Sequence, residues 1–502
     1  MKNRPGSALC LLTAGLCLVA AAARGQNGNA AGPLFRNRAV VQSAPVPSRV
    51  SQNHVKVAEQ SLLIRDPRVL DSTDFQSCEV DVAPCSEAHG KWSFASVFQR
   101  GMTVARKGTV TPAEVQAATD GWRQDLEKPY DPKNPLLSQA NSSLIQAVKA
   151  DFEAGWKNDK GEYPALRIPV RLLAIVNRID TAVPDPAGCA HRGEPGKDMS
   201  GAEIRLEFAG VRANLTATFD YLRFIVEFVL PCESSSDPNE FPRLARDWHS
   251  LSALDIAAPA YGERLSQVLD YWLGTAVKAR IRIAGASAGA DWAVREYIFQ
   301  PDGKLLPESL ERDLPGELAT CWDRGSALGK FAAGHDMRIL ASRYEFHESA
   351  LNASEQLIEP TEDHVLGLDF KVLPGNKLEE VRHALSINTC RGCHTSETGT
   401  NGLHLGQRTK GKRSKISGFL SGASDHGTCL LDYGDGNTQS YCTPRIVASV
   451  GCPDLNKTTY RYNDLLRRDL YLDAVLNPPD GASPGSAAWY AAIARYATLQ
   501  LH

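Results

Sequence analysis

Hydrophobic and polar positions alternate in five runs along the first 300 residues of the chain. These runs are RIPVRLLAIVNRI (167–179), AEIRLEF (202–208), LRFIVEFVL (222–230), KARIRIA (278–284) and WAVREYIF (292–299). Their β-branched and aromatic content, with partial period-two alternation, favours strands of a sheet that is buried on at least one face. The connection AGASAGAD (284–291) is short and made of small residues, which is typical of a hairpin. The pattern therefore predicts a largely antiparallel sheet.

Apolar residues at helical spacing accompany these strands and then dominate the second half of the chain. Three patterns that predict helices packed on the sheet are TPAEVQAATDGWRQDL (111–126), FPRLARDWHSLSALDIA (241–257) and YGERLSQVLDYWLGTAV (261–277). From about residue 316 the strand patterns fade, and amphipathic helices are predicted at 329–358, 378–387, 459–476 and 487–502. The predicted fold class is α+β, with a mixed unit of unknown role at 61–315 and a mainly helical unit at 316–502.

The N-terminus predicts export. Lys2 and Arg4 precede an uncharged run from Ala8 to Ala23, which is shorter than the roughly 20 residues that a permanent transmembrane helix needs. We expect residues 1–23 to be a secretory signal peptide, and residues 24–60, rich in Asn, Gly, Ala, Pro and Ser, to be a flexible leader. The mature protein is expected in the periplasm or outside the cell, with no stable membrane span.

The balance of charge and the number of cysteines bear on the partners and the disulfides of the protein. The 55 Lys and Arg residues against 58 Asp and Glu residues give no case for a nucleic-acid partner. Ten of the 12 cysteines follow the signal peptide, and an oxidising compartment favours disulfides among them. Proximity in sequence predicts the pairs Cys78–Cys85 and Cys189–Cys232, whereas no pairing is preferred among Cys321, Cys429, Cys442 and Cys452.

Cys390, Cys393 and His394 form a C-x-x-C-H motif within INTCRGCHTSETGT (387–400). At this spacing c-type haem is attached through two thiols, and the histidine binds the iron. The segment resembles the haem-binding motif of c-type cytochromes. The resemblance implies one haem c bound covalently by Cys390 and Cys393, with His394 as the proximal iron ligand. It also implies electron transfer, or another haem-dependent redox role, with a redox partner protein.

The second iron ligand departs from the usual small cytochrome, in which a methionine follows the motif. The methionines of this chain all precede the motif: Met1, Met102, Met199 and Met337. His404, in GTNGLHLGQR (399–408), follows His394 across a glycine-containing loop and is the candidate distal ligand. The alternative is an ordinary surface histidine. His383 and His426 are weaker candidates for the same position.

Three segments give a wider resemblance. RLLAIVNRID (171–180), DWAVREY (291–297) and RHALSINTCRGCHTSETGT (382–400), followed by His404, are similar to recurring signatures of a group of large exported bacterial proteins with a single C-x-x-C-H. No activity is established for that group, so the resemblance implies a shared architecture only. The polar residues of the first two segments are interpreted as hydrogen-bond networks at strand ends, not as catalytic sites; they are Asn177, Arg178, Asp180, Trp292, Arg295 and Glu296.

A basic run, QRTKGKRSK (407–415), follows His404. Such a run favours a solvated loop, and the alternative is pairing with haem propionates or docking to an acidic redox partner.

Two other functions compete with the cytochrome hypothesis. In the first, Cys390 and Cys393 form a disulfide, and the protein is an exported, disulfide-stabilised binding or envelope module without haem. In the second, Ser287 within GASAG (285–289) is the nucleophile of a serine hydrolase. A nucleophile of that type requires a helix after the serine, whereas the residues that follow here predict a strand.

The export hypothesis predicts that the mature chain begins near Arg24, because the uncharged run ends on the small residues that signal peptidases accept. N-terminal sequencing of protein recovered from the periplasm or the medium checks this start. Recovery of the intact N-terminus in the membrane fraction would contradict it.

Overall fold

The computed structural model describes most of the chain between residues 52 and 494, and every structural statement below concerns those residues. They are 52–75, 90–127, 152–182, 201–211, 218–231, 240–286, 292–308, 394, 398, 400, 403–422, 430–432, 438–440, 445–448, 459–478, 482–484 and 486–494.

Seven antiparallel strands form the central sheet in the order in which they follow along the chain. They are β1 (Leu63–Ile64), β2 (Val170–Arg178), β3 (Glu203–Val211), β4 (Thr218–Val229), β5 (Lys278–Ala286), β6 (Trp292–Phe299) and β7 (Leu305–Glu308). All five predicted strands are present, and β5 and β6 pair antiparallel with Ala286 opposite Trp292. The predicted hairpin and the antiparallel sheet are therefore confirmed. Further along, β8 (Leu430–Asp432) pairs with β9 (Thr438–Ser440), and β10 (Arg445–Ala448) pairs with β11 (Thr459–Tyr462).

Helices surround this sheet, so the fold class is α+β. They are α1 (Gln52–Val57), α2 (Pro67–Leu70), α3 (Phe94–Arg106), α4 (Pro112–Glu127), α5 (Glu240–His249), α6 (Pro259–Gly274), α7 (Gly418–Ser421), α8 (Asp464–Leu476) and α9 (Ala487–Ala494). The helices predicted at 111–126, 241–257 and 261–277 correspond to α4, α5 and α6.

Aromatic packing covers one face of the sheet. Phe94 on α3 makes an edge-to-face contact with Phe208 on β3, with ring centroids 5.1 Å apart. Phe98, one helical turn later, contacts Phe299 on β6 at 4.9 Å. Trp122 on α4 contacts Phe224 on β4 at 5.8 Å. Alternate strand residues thus supply an apolar face, which α3 and α4 bury.

The prediction that residues 24–60 form a flexible leader is wrong for residues 52–60. Residues 52–57 form α1 and a π-helical turn follows at Ala58–Leu62, in which Leu62 is fully buried. Glu59 in that turn binds Arg65 at 2.6 Å and Arg413 at 3.3 Å. The amino-acid composition does not reveal this ordered stretch, because Arg413, which binds Glu59, lies more than 350 residues further along the chain.

Residues on both sides of position 315 contribute to the same buried core. Phe241 on α5 contacts Tyr471 on α8 at 6.4 Å and Trp489 on α9 at 6.2 Å. The helix predicted at 459–476 is present as α8, preceded by β11, and α9 lies within the one predicted at 487–502. The helices predicted at 329–358 and 378–387 lie outside the described residues, as do the signal peptide and all the cysteines.

Within the described part of the chain, no helix combines the length and the apolar character that crossing a membrane requires.

Two glycines on the covering helices give a matched test of this packing. A Cβ at Gly101 on α3 would lie 2.6 Å from the ring of Phe299, whereas a Cβ at Gly121 on α4 would meet nothing within 4 Å. We expect Gly101→Ala to destabilise the protein by about 1–3 kcal/mol through overpacking. Gly121→Ala should stabilise it by roughly 0.5–1 kcal/mol, because alanine loses less backbone entropy in a helix. Thermal melts of the two variants check the opposite signs, and equal shifts would contradict the packing.

Candidate functional site

The second face of the sheet carries charged side chains. We call it the charged face, and it comprises Glu203, Arg205, Glu207, Arg223, Glu227, Arg280, Arg282 and Glu296. Strand register places Arg205 opposite Glu227, and Glu227 opposite Arg280. Arg282 is likewise opposite Glu296. Opposite charges therefore meet across neighbouring strands, which is the arrangement that stabilises a sheet.

These charges are largely removed from water. Arg205 donates to Glu203 at 2.6 Å and is paired with Glu227 at 2.6 Å, while Arg280 binds Glu203 at 2.8 Å. Burial alone raises the pKa of Glu227, but Arg205, Arg280 and Arg282 together lower the pKa to about 2. Glu227 therefore remains ionised at neutral pH, and the charged face is a network of ion pairs.

A loop at residues 403–417 approaches the charged face, and we call it the His404 loop. Its two arms pair through Leu405 and Ile416, and Ser417 N donates to the His404 carbonyl at 2.9 Å. Arg223 of the charged face donates from Nη2 to the Leu405 carbonyl at 3.0 Å. The sheet therefore holds the backbone directly beside His404.

The basic run of this loop divides into buried arginines and exposed lysines. Arg408 is 1% exposed, donates to the Leu172 carbonyl at 2.8 Å and pairs with Asp71. Arg413 is also buried and pairs with Glu59 at 3.3 Å and with Asp66. The solvated-loop interpretation is thus wrong for the arginines. It holds for the three exposed lysines, which are Lys410, Lys412 and Lys415.

His394 and His404 lie side by side. Their ring centroids are 4.4 Å apart, with an angle of 31° between the ring planes. Phe419 on α7 packs against His404 at 4.9 Å, and Tyr462 contacts Phe419 at 5.3 Å. The structure therefore brings together the two histidines that the sequence named as iron ligands, next to an aromatic wall.

The surroundings of His404 keep its ring neutral. Burial holds the pKa of His404 well below its usual range, and the neighbouring His394 and Arg468 act in the same direction. His404 Nδ1 lies 2.8 Å from Ser417 Oγ. When Nδ1 carries the proton and donates it to Ser417, Nε2 carries the lone pair. A neutral imidazole with its other nitrogen hydrogen-bonded is the form in which histidine binds a metal.

A buried ionic network holds α8 beside this site. Arg178 donates to Asp180 at 3.0 Å, and Arg467 binds both Asp180 and Asp464 at 2.7 Å. Arg468, which acts on His404, is paired with Asp464 at 2.6 Å. Asn177 Oδ1 accepts from Ile179 N at 3.0 Å. The hydrogen-bond network predicted at this strand end is therefore confirmed, and it joins β2 to α8.

The histidine pair supplies nitrogen donors of the type that a haem iron binds, but its rings lie closer together than two imidazoles on one iron. Metal–imidazole bonds are about 2 Å long, so two imidazoles on one iron place their ring centroids roughly 6 Å apart. The observed separation is 4.4 Å, so His394 and His404 must move apart by about 2 Å to hold an iron between them. Among the described residues, no group of three or more His, Cys, Asp and Glu side chains is placed to hold a metal ion.

Several sequence candidates fall outside the described residues, namely Cys390, Cys393, His383, His426 and Ser287. The context of Ser287 is nevertheless clear, because strands precede and follow it. A nucleophilic serine of the hydrolase type is instead presented between a strand and a helix.

Sequence reasoning did not identify Arg223, Ser417 or Arg468 as parts of the site. Arg223 belongs to an alternating strand pattern whose charged positions usually indicate a solvent-exposed face. Ser417 was detectable only as the N-cap of the four-residue helix α7, where its side chain accepts from Leu420 N. Nothing in the sequence places these residues near His404.

Comparison of the chain with family models, with curated proteins and with solved structures found no match.

The contact between His404 and Ser417 gives a direct test of the ligand geometry. We expect His404 to be neutral with its proton on Nδ1, and this proton to exchange slowly because Ser417 accepts it. NMR of protein labelled with ¹⁵N-histidine detects the Nδ1 proton. Ser417→Ala should abolish its protection from exchange, whereas Ser417→Thr, which keeps the hydroxyl, should retain it. An unchanged signal in Ser417→Ala would contradict the assignment.

Proposed function

We propose that this protein is an exported, single-haem c-type cytochrome-like protein that transfers electrons to or from a redox partner protein. Cys390 and Cys393 attach the haem, His394 is the proximal ligand and His404 the distal ligand. The observation that supports the proposal is that His394 and His404 are neighbours in space, because His404 was selected as the candidate distal ligand from the sequence alone; binding an iron between them requires the rings to separate from their 4.4 Å contact.

The architecture of the second half belongs to the same proposal. Residues 316–502 are proposed to form a mainly helical unit around the haem, of which α7 and α8 contribute the walls next to His404. Helix α8 brings Arg468 to the site, and α7 brings Phe419. Both helices are fixed by long-range contacts, since the N-cap residue Asn463 of α8 packs against Gly422 at the end of α7.

Each protein group has a defined task in this proposal. The thiols of Cys390 and Cys393 form the covalent anchor, and His394 is positioned by following directly after Cys393. Ser417 holds the Nδ1 proton of His404 and so orients Nε2 as the ligand atom. Haem with two imidazole ligands supplies one-electron transfer, at a potential lower than that of a histidine–methionine pair.

The lysines of the His404 loop offer a surface for the redox partner. Lys410, Lys412 and Lys415 are exposed, while the two arginines of the same loop are paired with Asp71, Glu59 and Asp66. Docking of an acidic partner at this surface would bring the partner close to the histidine pair.

The proposal predicts a covalent haem whose spectrum depends on His404. Protein produced with the haem-maturation machinery should retain haem on a denaturing gel, and Cys390→Ala combined with Cys393→Ala should lose it. His404→Ala should keep the haem but convert the low-spin absorption spectrum to a high-spin one, because one axial ligand is removed.

His249→Ala is the matched control, since His249 is exposed at the end of α5 and should leave the spectrum unchanged. Absence of haem from correctly matured wild-type protein would leave the disulfide-stabilised module as the alternative. An unchanged low-spin spectrum in His404→Ala would transfer the distal role to His383, His426 or Met337.

A further inference from the structure

His54 on α1 and Asp469 on α8 are in direct contact, although 415 positions separate them in the chain. The contact joins His54 Nδ1 to Asp469 Oδ2. Asp469 is buried, whereas the His54 side chain is 31% exposed, so a proton on the imidazole can exchange with solvent. The two residues therefore connect the first helix of the described chain to its C-terminal half through a carboxyl and an imidazole.

Burial has the largest effect on the Asp469 carboxyl and raises its pKa. The hydrogen bond with His54 offsets this only in part, and Asp473, one turn further along α8, adds to it, so that the pKa is about 6. The other charged residue of α1, Lys56, is exposed. Helix α5 packs on a different face of α8, through Tyr471. Asp469 therefore keeps a proton in a pH range in which an ordinary aspartate is ionised.

The π-helical turn that follows α1 is anchored independently of this pair. Its charged group, Glu59, binds Arg65 at 2.6 Å and Arg413 at 3.3 Å. Tyr261 Oη donates to the Gln60 carbonyl at 2.6 Å. Loosening of the contact between α1 and α8 would therefore free α1 and leave the turn attached to the rest of the protein.

We propose that the His54–Asp469 pair is a pH-sensitive latch, which holds α1 against α8 while the two side chains share a proton and loosens when that proton is lost. The inference is independent of the proposed haem. With the proton present, Asp469 is either neutral or paired with an imidazolium, so no uncompensated charge lies beneath α1. When the proton passes to solvent, the buried carboxylate faces a neutral imidazole, and it is better solvated with α1 displaced.

Docking of α1 should weaken as the pH rises. In the open form Asp469 is solvated and has its ordinary pKa, so closing the latch takes up a proton at pH values between the open and the closed pKa. The closed form is favoured in acid and loses this stabilisation as the pH rises through about 6. For one group with these two pKa values, the ratio of open to closed α1 increases about 10-fold between pH 5 and pH 7.5.

Hydrogen–deuterium exchange of the full chain measures the opening of α1. After correction for the intrinsic pH dependence of exchange, protection of the amides at 56–58 should fall about 10-fold from pH 5 to pH 7.5, while that of α4 stays constant. Asp469→Asn keeps the shape of the side chain but cannot ionise, so the pH dependence should be lost. Asp473→Asn is the matched control, because it removes an exposed carboxyl from the same helix and should retain the pH dependence.

A second measurement covers the case in which Asp469→Asn does not fold. ¹³C NMR of wild-type protein follows the Asp469 carboxyl directly, and its midpoint of titration should lie near pH 6. A midpoint near about 4, as in a solvated aspartate, would overturn the latch. So would protection of α1 that does not change with pH, a pH dependence that survives in folded Asp469→Asn, or a loss of protection that extends equally to α4. None of these outcomes affects the haem proposal, which the haem stain tests separately.

Discussion

Arg205, Glu227 and Arg280 form one row across the three central strands, and the rest of the molecule depends on keeping this row paired. Their side chains are buried, and removal of one partner from such a row would leave an uncompensated charge, which typically costs about 3–5 kcal/mol. The row is in turn fixed by strand register, because a slip of one residue would turn every charge to the aromatic face. The ion pairs therefore specify the register as much as they stabilise the sheet.

Buried arginines that pair with carboxylates also hold the His404 loop against the sheet. Arg408 and Arg413 each contact more than one acceptor, which suits the planar guanidinium with its several fixed donors. The lysines between them carry a compact, strongly hydrated charge and remain in solvent. The alternation of arginine and lysine in nine residues thus positions the loop and at the same time leaves a positive surface. The arginines thereby hold the loop that carries His404 against the sheet.

Local patterns were sufficient to predict β2–β6 of the central sheet, because period-two alternation and hairpin chemistry are encoded within a few residues; the short strands β1 and β7–β11 were not predicted. The same patterns do not show how the charged positions are buried: Glu203 and Arg205 alternate with apolar residues along β3, and their partners Arg280 and Glu227 come from other strands. The start of the ordered region was misjudged for a similar reason, since Glu59 is held by Arg413. His404 was selected by spacing and chemistry alone, but its contacts with Ser417 and Arg468 depend on tertiary structure.

The charged residues near His394 and His404 set the electrostatic potential at the histidine pair. In the proposed haem site, two neutral imidazoles on one iron would favour a low potential, while the cations Arg223 and Arg468 nearby would favour reduction. Asp464 offsets Arg468 through a 2.6 Å ion pair, whereas Arg223 donates to a carbonyl oxygen of the loop. Glu207 is the diagonal neighbour of Arg223 across β3 and β4, so the charge of its carboxyl decides how much of the positive charge of Arg223 is offset. An ionised Glu207 opposes that charge, and a protonated Glu207 leaves it in force, so the charged face that fixes the fold also sets the electrostatics of the site.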